Sequence, residues 1–437
     1  MKRIKILWIS SIAMLSFGAN AQDTLSISKS EVLEKVIKNN LQIKVAEKSF
    51  ESARGDYRQS NAIFLPNISA SHTAISTTNP LMAFGSKLNQ EILTAADFNP
   101  ALLNNPKRIE NFATSIELQQ PLLNLDGLFE RQAAKAKMEA FGLQTERTKE
   151  YLSLEVSKSY MQLQLAYKAV AVLEKANTTA QGNLKMVENY FKNGMLQKTD
   201  LLNVKVRVNE VANQLQYAKS NIKNASDYLG FLLNEDLNGK IYKPLENLEN
   251  KIVIEEPVLT ISKSRKDFQA MDKSTEAYQK MFQSSKFGFL PRLNAFGSYQ
   301  MYDDNLFGTS ANGYLIGAQL SWNVFDGFKN IGKTQKAKAE FQKATLETEN
   351  FKKQSQLELN KTNRQLMDAE NKVNLSKLAF EQSQEAFRIR ENRFAQGLEK
   401  TTDLLLSETQ MAQKELEHLQ AIFEYNFTKD YLQFLIQ

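Results

Sequence analysis

Two stripes of regularly spaced apolar residues leave this chain few folds to choose from. The first runs Leu152, Val156, Ser159, Leu163, Ala166, Val170, Leu173, Asn177, Ala180, Leu184, Val187 and Phe191. The second runs Leu359, Thr362, Leu366, Ala369, Val373, Ser376, Phe380, Ser383, Phe387, Arg390 and Phe394. Steps alternating between three and four residues place each stripe on one seam of a helix, the seam that a supercoiled partner covers. Large and small residues often alternate along it, which suits close interdigitation. Residues 122–243 and 292–437 contain no proline, so no missing N–H breaks either helix. Each stripe ends three residues before a glycine, Gly194 or Gly397, suited to a left-handed helix terminus. Thr199-Asp200 and Thr402-Asp403 then offer oxygen caps for a returning helix. The first return seam is Leu201, Val204, Val208, Val211, Leu215, Ala218, Ile222, Ala225, Leu229 and Leu232. The second reads as shifted by one and weaker: Leu405, Thr409, Ala412, Leu416, Leu419 and Phe423.

The whole pattern is written twice. Phe64-Leu65-Pro66 reappears as Phe289-Leu290-Pro291, Leu125-Asp126-Gly127 as Phe325-Asp326-Gly327, and Thr199-Asp200-Leu201-Leu202 as Thr402-Asp403-Leu404-Leu405. A repeat near 200 residues is too long for a solenoid and reads as a duplicated half-molecule. The organisation expected is a leader at 1–21, a first repeat at 22–243, a connector at 244–263 and a second repeat at 264–437. The first repeat holds a lead-in helix over Ser30–Ile63, a hairpin at 66–123, a long helix at 128–193 and a return helix at 200–235. The second holds a lead-in helix, a hairpin at 291–325, a long helix at 328–396 and a return helix at 402–437. At 1.5 Å per residue the long helices are ~100 Å and the shorter ones roughly half that, so two short helices match one long one end to end. The proline-bearing stretch 79–111 reads as a long polar loop, and 244–263 as an irregular belt.

Composition removes whole classes of function. The chain has no cysteine, which excludes disulfides, thiolate metal sites, a cysteine nucleophile and a lipid-anchor cysteine. Two histidines, His72 and His418, are too few and too far apart for histidine-based metal or triad chemistry. No catalytic, cofactor-binding or metal residues are expected. Lys2, Arg3 and Lys5, the apolar run Ile6–Phe17 and Ala19-Asn20-Ala21 form an export signal cleaved after Ala21. Its removal lowers Lys+Arg from 55 to 52 against 49 acidic residues, so the formal +6 falls to +3 and nothing favours a nucleic-acid partner. No later run is long and apolar enough for a helical membrane span.

Four stretches alternate with period two. Leu293, Ala295, Gly297, Tyr299 and Met301 face one way, as do Tyr314, Ile316, Ala318, Leu320 and Trp322. Phe112, Thr114, Ile116 and Leu118 repeat the pattern, and Asn67–Ser76 is its weakest case. Segments of about 10–12 residues suit membrane-spanning strands; judged alone, they suit a water-soluble hairpin pair equally. Four strands cannot close in lipid, and an open edge there leaves backbone groups unpaired. Two chains would give eight strands with a filled interior, and three would give twelve with a lumen. The fold class expected is mainly α, a duplicated coiled-coil α-barrel, with four strands per chain closing a twelve-stranded β-barrel in a homotrimer.

The order of leader, lead-in helix, Phe-Leu-Pro, hairpin, Asp-Gly, long heptad helix and Gly-x5-Asp-Leu-Leu turn, repeated, resembles the TolC family of outer-membrane efflux proteins. Leu25–Glu31 and Asn39-Asn40-Leu41 are similar to the family's opening segment. The resemblance implies a homotrimeric channel-tunnel in the outer membrane and periplasm of a Gram-negative bacterium. It implies docking on a periplasmic adaptor (membrane fusion) protein and coupling to an inner-membrane transporter of the RND, ABC or MFS type, for efflux or type I secretion. By the same resemblance, Gly194, Met195, Leu196, Thr199, Gly397, Leu398 and Thr402 form adaptor-docking tips, and Asp403, Asp200 and Phe394 form a periplasmic gate. The sequence departs from the family at Leu406, where a second gate aspartate is usual, and at Phe394 and Glu399, where a hydroxyl-bearing aromatic and an arginine are usual. Plain helix capping also accounts for Asp200 and Asp403. Arg390, within a seam, is expected to point to the lumen or to pair with a neighbour's carboxylate. The other reading in view is a periplasmic coiled-coil adaptor or scaffold, and an enzyme comes last.

Overall fold

The computed structural model describes residues 24–237, 239–248, 258 and 260–437; the expected leader and part of the 244–263 connector lie outside the described residues. In chain order the elements are β1 (Thr24–Ile27), α1 (Lys29–Asn39), α2 (Leu41–Gln59), β2 (Asn67–Thr77), α3 (Pro80–Asn89), α4 (Pro100–Asn104) and β3 (Ile109–Leu123). Then follow α5 (Leu125–Lys192), α6 (Lys198–Leu233), β4 (Ile241–Pro244), α7 (Lys266–Phe287), β5 (Arg292–Asp303), β6 (Ala311–Ser321), α8 (Lys329–Ala395) and α9 (Thr401–Ile436). The two heptad stripes sit on α5 and α8, helices of 68 and 67 residues. Contacts divide the chain into two compact units, and each gathers pieces of both sequence repeats.

One unit combines the residues through Asn40 with Leu152–Glu256 and Thr362–Leu432. Its interior is the seams. Leu152, Val156, Leu163, Ala180 and Val187 of α5 are buried, with Val204, Val211 and Leu229 of α6 and Val373 of α8. The second return seam differs from its expected register. The residues buried on α9 include Leu404, Ser407, Met411, His418, Ala421 and Tyr425. These stand 203 positions after Leu201, Val204, Val208, Leu215, Ala218 and Ile222. The buried stripe therefore includes the positions in register with the first seam, widened by Glu408, Ala412 and Ile422 one residue on; of the expected seam, Ala412 is buried. The buried polar residues Ser407, Glu408 and His418 hide the stripe from a reading of apolar spacing. Beside the seams, β1 and β4 pair in parallel, Thr24 opposite Ile241. The Tyr160 hydroxyl on α5 donates to the Ile27 carbonyl at 3.0 Å and accepts from the Leu245 N–H at 3.1 Å, tying this small sheet to the helix.

The other unit combines Leu41–Tyr151 with Pro257–Lys361 and Gln433–Gln437. It holds an antiparallel sheet ordered β2-β3-β5-β6. Ala70, Ile116, Tyr299 and Tyr314 lie in one row across it, and Ile68, Leu118, Gly297 and Ile316 in another. By period two these apolar rows share a face, while Ser69, Glu117, Ser298 and Gln319 belong to the opposite one. The apolar face has no core behind it: Tyr314 and Ile316 are 78% and 77% exposed. That removes the soluble-hairpin alternative, in which such a face packs on its own interior.

Two local expectations need correction. The lead-in helix over Ser30–Ile63 is two helices, because Asn40 takes an extended backbone (φ −61°, ψ 133°) and its amide donates to the Leu232 carbonyl at 2.8 Å. The 79–111 loop carries α3 and α4. Asn79 and Asn99 cap them with proline at the first turn, a start signal overlooked in favour of proline as a breaker. Buried Gln90 holds α3 to the sheet, its Nε2 donating to the Glu110 carbonyl and to Asn111 Oδ1, both at 2.8 Å.

Candidate functional site

The two helical turns are built alike. Gly194 and Gly397 have φ of +74° and +75°, the left-handed region that a Cβ disfavours. The Gly194 N–H donates to the Phe191 carbonyl at 3.0 Å and the Met195 N–H to the Tyr190 carbonyl at 2.9 Å. The Gly397 and Leu398 N–H groups reach Phe394 and Arg393 in the same pattern, both at 2.9 Å. This paired closure satisfies the last carbonyls of each helix and turns the chain back on itself.

The returning helices start slightly earlier than expected. α6 begins at Lys198, and Asp200 Oδ2 accepts from the Gln197 N–H at 3.1 Å, so Asp200 caps from the third helical position. α9 begins at Thr401. Asp403 occupies the matching position there, with Arg390 Nη1 3.9 Å from its Oδ2.

Two of the singled-out residues, Phe394 and Leu196, meet in one apolar cluster. Phe394, 2% exposed, packs with Val187, Val204, Phe387, Leu404 and Met411, and with Leu196 and Leu201 at the margin. The Tyr190 hydroxyl crosses from α5 to the Ala395 carbonyl at 2.9 Å. The two turns are thus anchored on a shared apolar cluster. Met195 and Leu398 point away from it, 71% and 63% exposed, and Thr199 and Thr402 are exposed beside them. Within a single chain, Phe394 serves this packing.

The second turn carries an ion-pair network whose pairing the sequence did not reveal. Glu399 Oε1 lies 3.2 Å from Arg390 Nη1, and its Oε2 2.9 Å from Arg393 Nε. Arg393 Nη2 also donates to the Leu398 carbonyl at 3.3 Å. Arg390, left between two roles by its seam position, pairs with carboxylates of its own chain. In this turn the cations stand on α8 and the anion stands in the turn itself.

A second polar group on this seam was missed. Glu408 is 0% exposed, accepts from Asn183 Nδ2 at 2.7 Å and faces Arg207 Nε at 3.6 Å. Burial is the main cause that pushes its carboxyl above the usual range. Of the histidines, His418 contacts Ser376 Oγ at 3.1 Å, and burial lowers its pKa. His72 lies in the sheet, against Thr114 Oγ1 at 2.8 Å. Among the described residues, no three His, Asp or Glu side chains converge as a metal site.

The sheet supplies the other candidate surface. β2 and β6 are its outer strands, so each has one side free of ladder bonds within the chain. Exposed aromatic and apolar side chains gather where strands join helices: Phe64, Leu65, Phe289, Trp322, Val324, Phe325 and Phe328. No helix among the described residues is long and apolar enough to cross a membrane.

Comparison with known proteins agrees with this architecture. A family model described as outer membrane efflux protein matches residues 32–235 and 260–429. Among solved structures, a membrane protein from Pseudomonas aeruginosa is similar at TM-score 0.81 and 16% identity, over 94% of this chain and 92% of that one. The CmeC outer membrane channel of Campylobacter jejuni is similar at TM-score 0.81 and 16% identity, over 93% and 85%. The outer membrane protein VceC of Vibrio cholerae is similar at TM-score 0.77 and 15% identity, over 92% and 95%. At these identities the likeness is one of fold. No curated protein matches the chain significantly.

Proposed function

Since this chain belongs to the outer membrane efflux protein family, a family of channels and not of enzymes, we propose that it is one third of a conduit carrying substrate passively out of the cell. Three copies contribute twelve strands to a barrel in outer-membrane lipid, and their helices line a periplasmic tunnel. The observation that carries this reading is the apolar sheet face. Tyr314, Ile316 and Leu320 are 78%, 77% and 64% exposed on an outer strand. Such a surface is costly in water and suits a lipid-facing barrel wall with aromatic rims. The free sides of β2 and β6 pair between copies, because lipid leaves no other partner for their backbone groups.

The turn residues Gly194, Met195, Thr199, Gly397, Leu398 and Thr402, exposed, with half-buried Leu196 between them, are the docking surface for a periplasmic adaptor. The adaptor joins the conduit to an inner-membrane transporter of the RND, ABC or MFS type, in tripartite efflux or type I secretion. Asp403, repeated around the mouth, favours cations there through its local field. Asp200 holds its turn, and Phe394 anchors the helix that carries the gate. The leader ending at Ala21 directs export. Substrate choice rests with the transporter.

The test is outer-membrane fractionation with gel mobility before and after heating, followed by planar-bilayer recording. Heat-modified mobility and stable single channels are expected. A purely soluble periplasmic pool without conductance would reject the conduit in favour of an adaptor or scaffold.

A further inference from the structure

The seam of α9 contains one ionisable side chain wholly shut off from water, Glu408 at 0% exposed. Its Oε2 accepts from Asn183 Nδ2 on α5 at 2.7 Å, while its Oε1 has no hydrogen-bond partner. The facing cation, Arg207 on α6, is 7% exposed and places Nε 3.6 Å from Oε1, beyond hydrogen-bond reach. That Nε is itself unpartnered. Arg207 divides its attraction with Glu210, whose Oε2 lies 3.8 Å from Nη1. From α8, Glu391 adds like charge. A carboxylate at 408 is therefore desolvated first of all, held by Asn183 on one oxygen and attracted by Arg207 from 3.6 Å, with Glu391 opposing it least. Residues of both tip hairpins meet here, Asn183 and Arg207 from α5 and α6, and Glu408 from α9.

Resting on the channel reading above, we propose that Glu408, Asn183 and Arg207 form a proton-linked latch between the two hairpins. The neutral carboxyl favours the packed seam, and the carboxylate favours its parting. The step is proton binding from periplasmic water at Glu408 Oε1, and no other covalent bond changes. Its direction follows from linkage. Packed, Glu408 holds its proton more tightly than an ordinary carboxyl, chiefly because it is buried; parted and hydrated, it would titrate in the usual range. Acid therefore shifts the equilibrium toward the packed tip, and rising pH toward the parted one. The two hairpins must move against each other for the mouth to widen, so this equilibrium biases opening. Arg207 keeps Glu210 as a partner when Glu408 is neutral, which limits the penalty of unpairing it.

Two measurements on the assembled protein test the latch. In planar bilayers, the wild-type open probability should fall as the pH is lowered from neutral toward the range where an ordinary carboxyl titrates. Glu408→Gln should sit at the low value throughout and lose the dependence. The chain has no cysteine, so Val204→Cys places a lone thiol in the seam at a 0% exposed position. At one fixed neutral pH, a water-soluble thiol reagent should modify it measurably more slowly in the Glu408→Gln background. If Glu408→Gln fails to assemble, the double variant Glu408→Met/Arg207→Met replaces the pair with apolar packing and should also shut the tip independently of pH. A conducting wild type that Glu408→Gln matches at both pH values and in thiol rate overturns the latch and leaves the channel standing. A wild type that never conducts overturns both.

Discussion

The turns at Gly194 and Gly397 share a backbone and differ in chemistry. Their φ angles differ by one degree, +74° against +75°, and their closing hydrogen bonds run in the same pattern. Around that common frame, the first turn carries a helix cap from Asp200 and an exposed methionine. The second is crossed by Arg390, Arg393 and Glu399. Glycine and the seam fix the path of the chain, and the side chains set on it are free to specialise. The first turn leaves Met195 exposed, and the second is braced against its own helix.

The strongest way to break this comparison is through its phenylalanines. Phe191 and Phe394 stand 203 residues apart, yet Phe191 is 37% exposed and Phe394 is 2% exposed within the shared cluster. Phe394→Ala should cost about 3–5 kcal/mol through the cavity it leaves, and Phe191→Ala less than about 1 kcal/mol. Thermal unfolding followed by helical circular dichroism, together with tryptic cleavage rates at the turns, reads the difference. Comparable losses from both would mean that the cluster does not anchor the second turn as described.

The glycines should behave alike. Gly194→Ala and Gly397→Ala each place a Cβ in the left-handed region, at about 1–2 kcal/mol, although neither Cβ would meet an atom within 4 Å. The penalty is therefore backbone strain without a clash, and hydrogen exchange at the two helix ends should rise to a similar extent. A turn that tolerates alanine while the other does not would separate two geometries that here coincide.

Much of this architecture was legible because helix seams and strand alternation are written in apolar side chains. The stripes through Leu163 and Val373 and the alternation around Tyr299 and Ile316 place α5, α8, β5 and β6 within a residue or a few. What escaped was polar or very short. Ser407, Glu408 and His418 occupy buried positions on α9, so apolar spacing picked out only one flank of a wider buried stripe. β1 and β4 have four residues each, too few for periodicity to register. Asn79-Pro80 and Asn99-Pro100 were visible as helix starts, but a run of prolines reads first as a loop. The partner of Arg390 depends on how the chain folds back at Gly397, which spacing alone does not supply.

Bracing of the second turn should have a measurable, moderate worth. Glu399→Gln removes the charge shared by two arginines, and its side chain is only 13% exposed. With the arginines at 40% and 55% exposed, the cost should be about 1 kcal/mol and should shrink in high salt. The matching position in the first turn is Leu196, 203 residues earlier. Leu196→Gln should lose apolar packing with no salt dependence. Cleavage at each turn, followed at low and high ionic strength, distinguishes the two; a salt-independent Glu399→Gln effect would remove the brace.

The aspartates give the smallest stability effects and the sharpest functional contrast. Asp200 accepts a backbone hydrogen bond at its helix start, so Asp200→Asn should loosen the first turn by about 0.5–1 kcal/mol. Asp403 lies 3.9 Å from Arg390 Nη1, with both side chains about 40% exposed, so Asp403→Asn should change stability by less than about 0.5 kcal/mol. If Asp403 rings the mouth in three copies, the same change should lower cation selectivity, because repeated like charges in a narrow opening set the local potential. Reversal potentials in asymmetric salt measure this directly, with Asp200→Asn as the matched control. A selectivity change in Asp200→Asn but not in Asp403→Asn would reverse the roles given to the two turns, and no change in either would confine both aspartates to holding their helices.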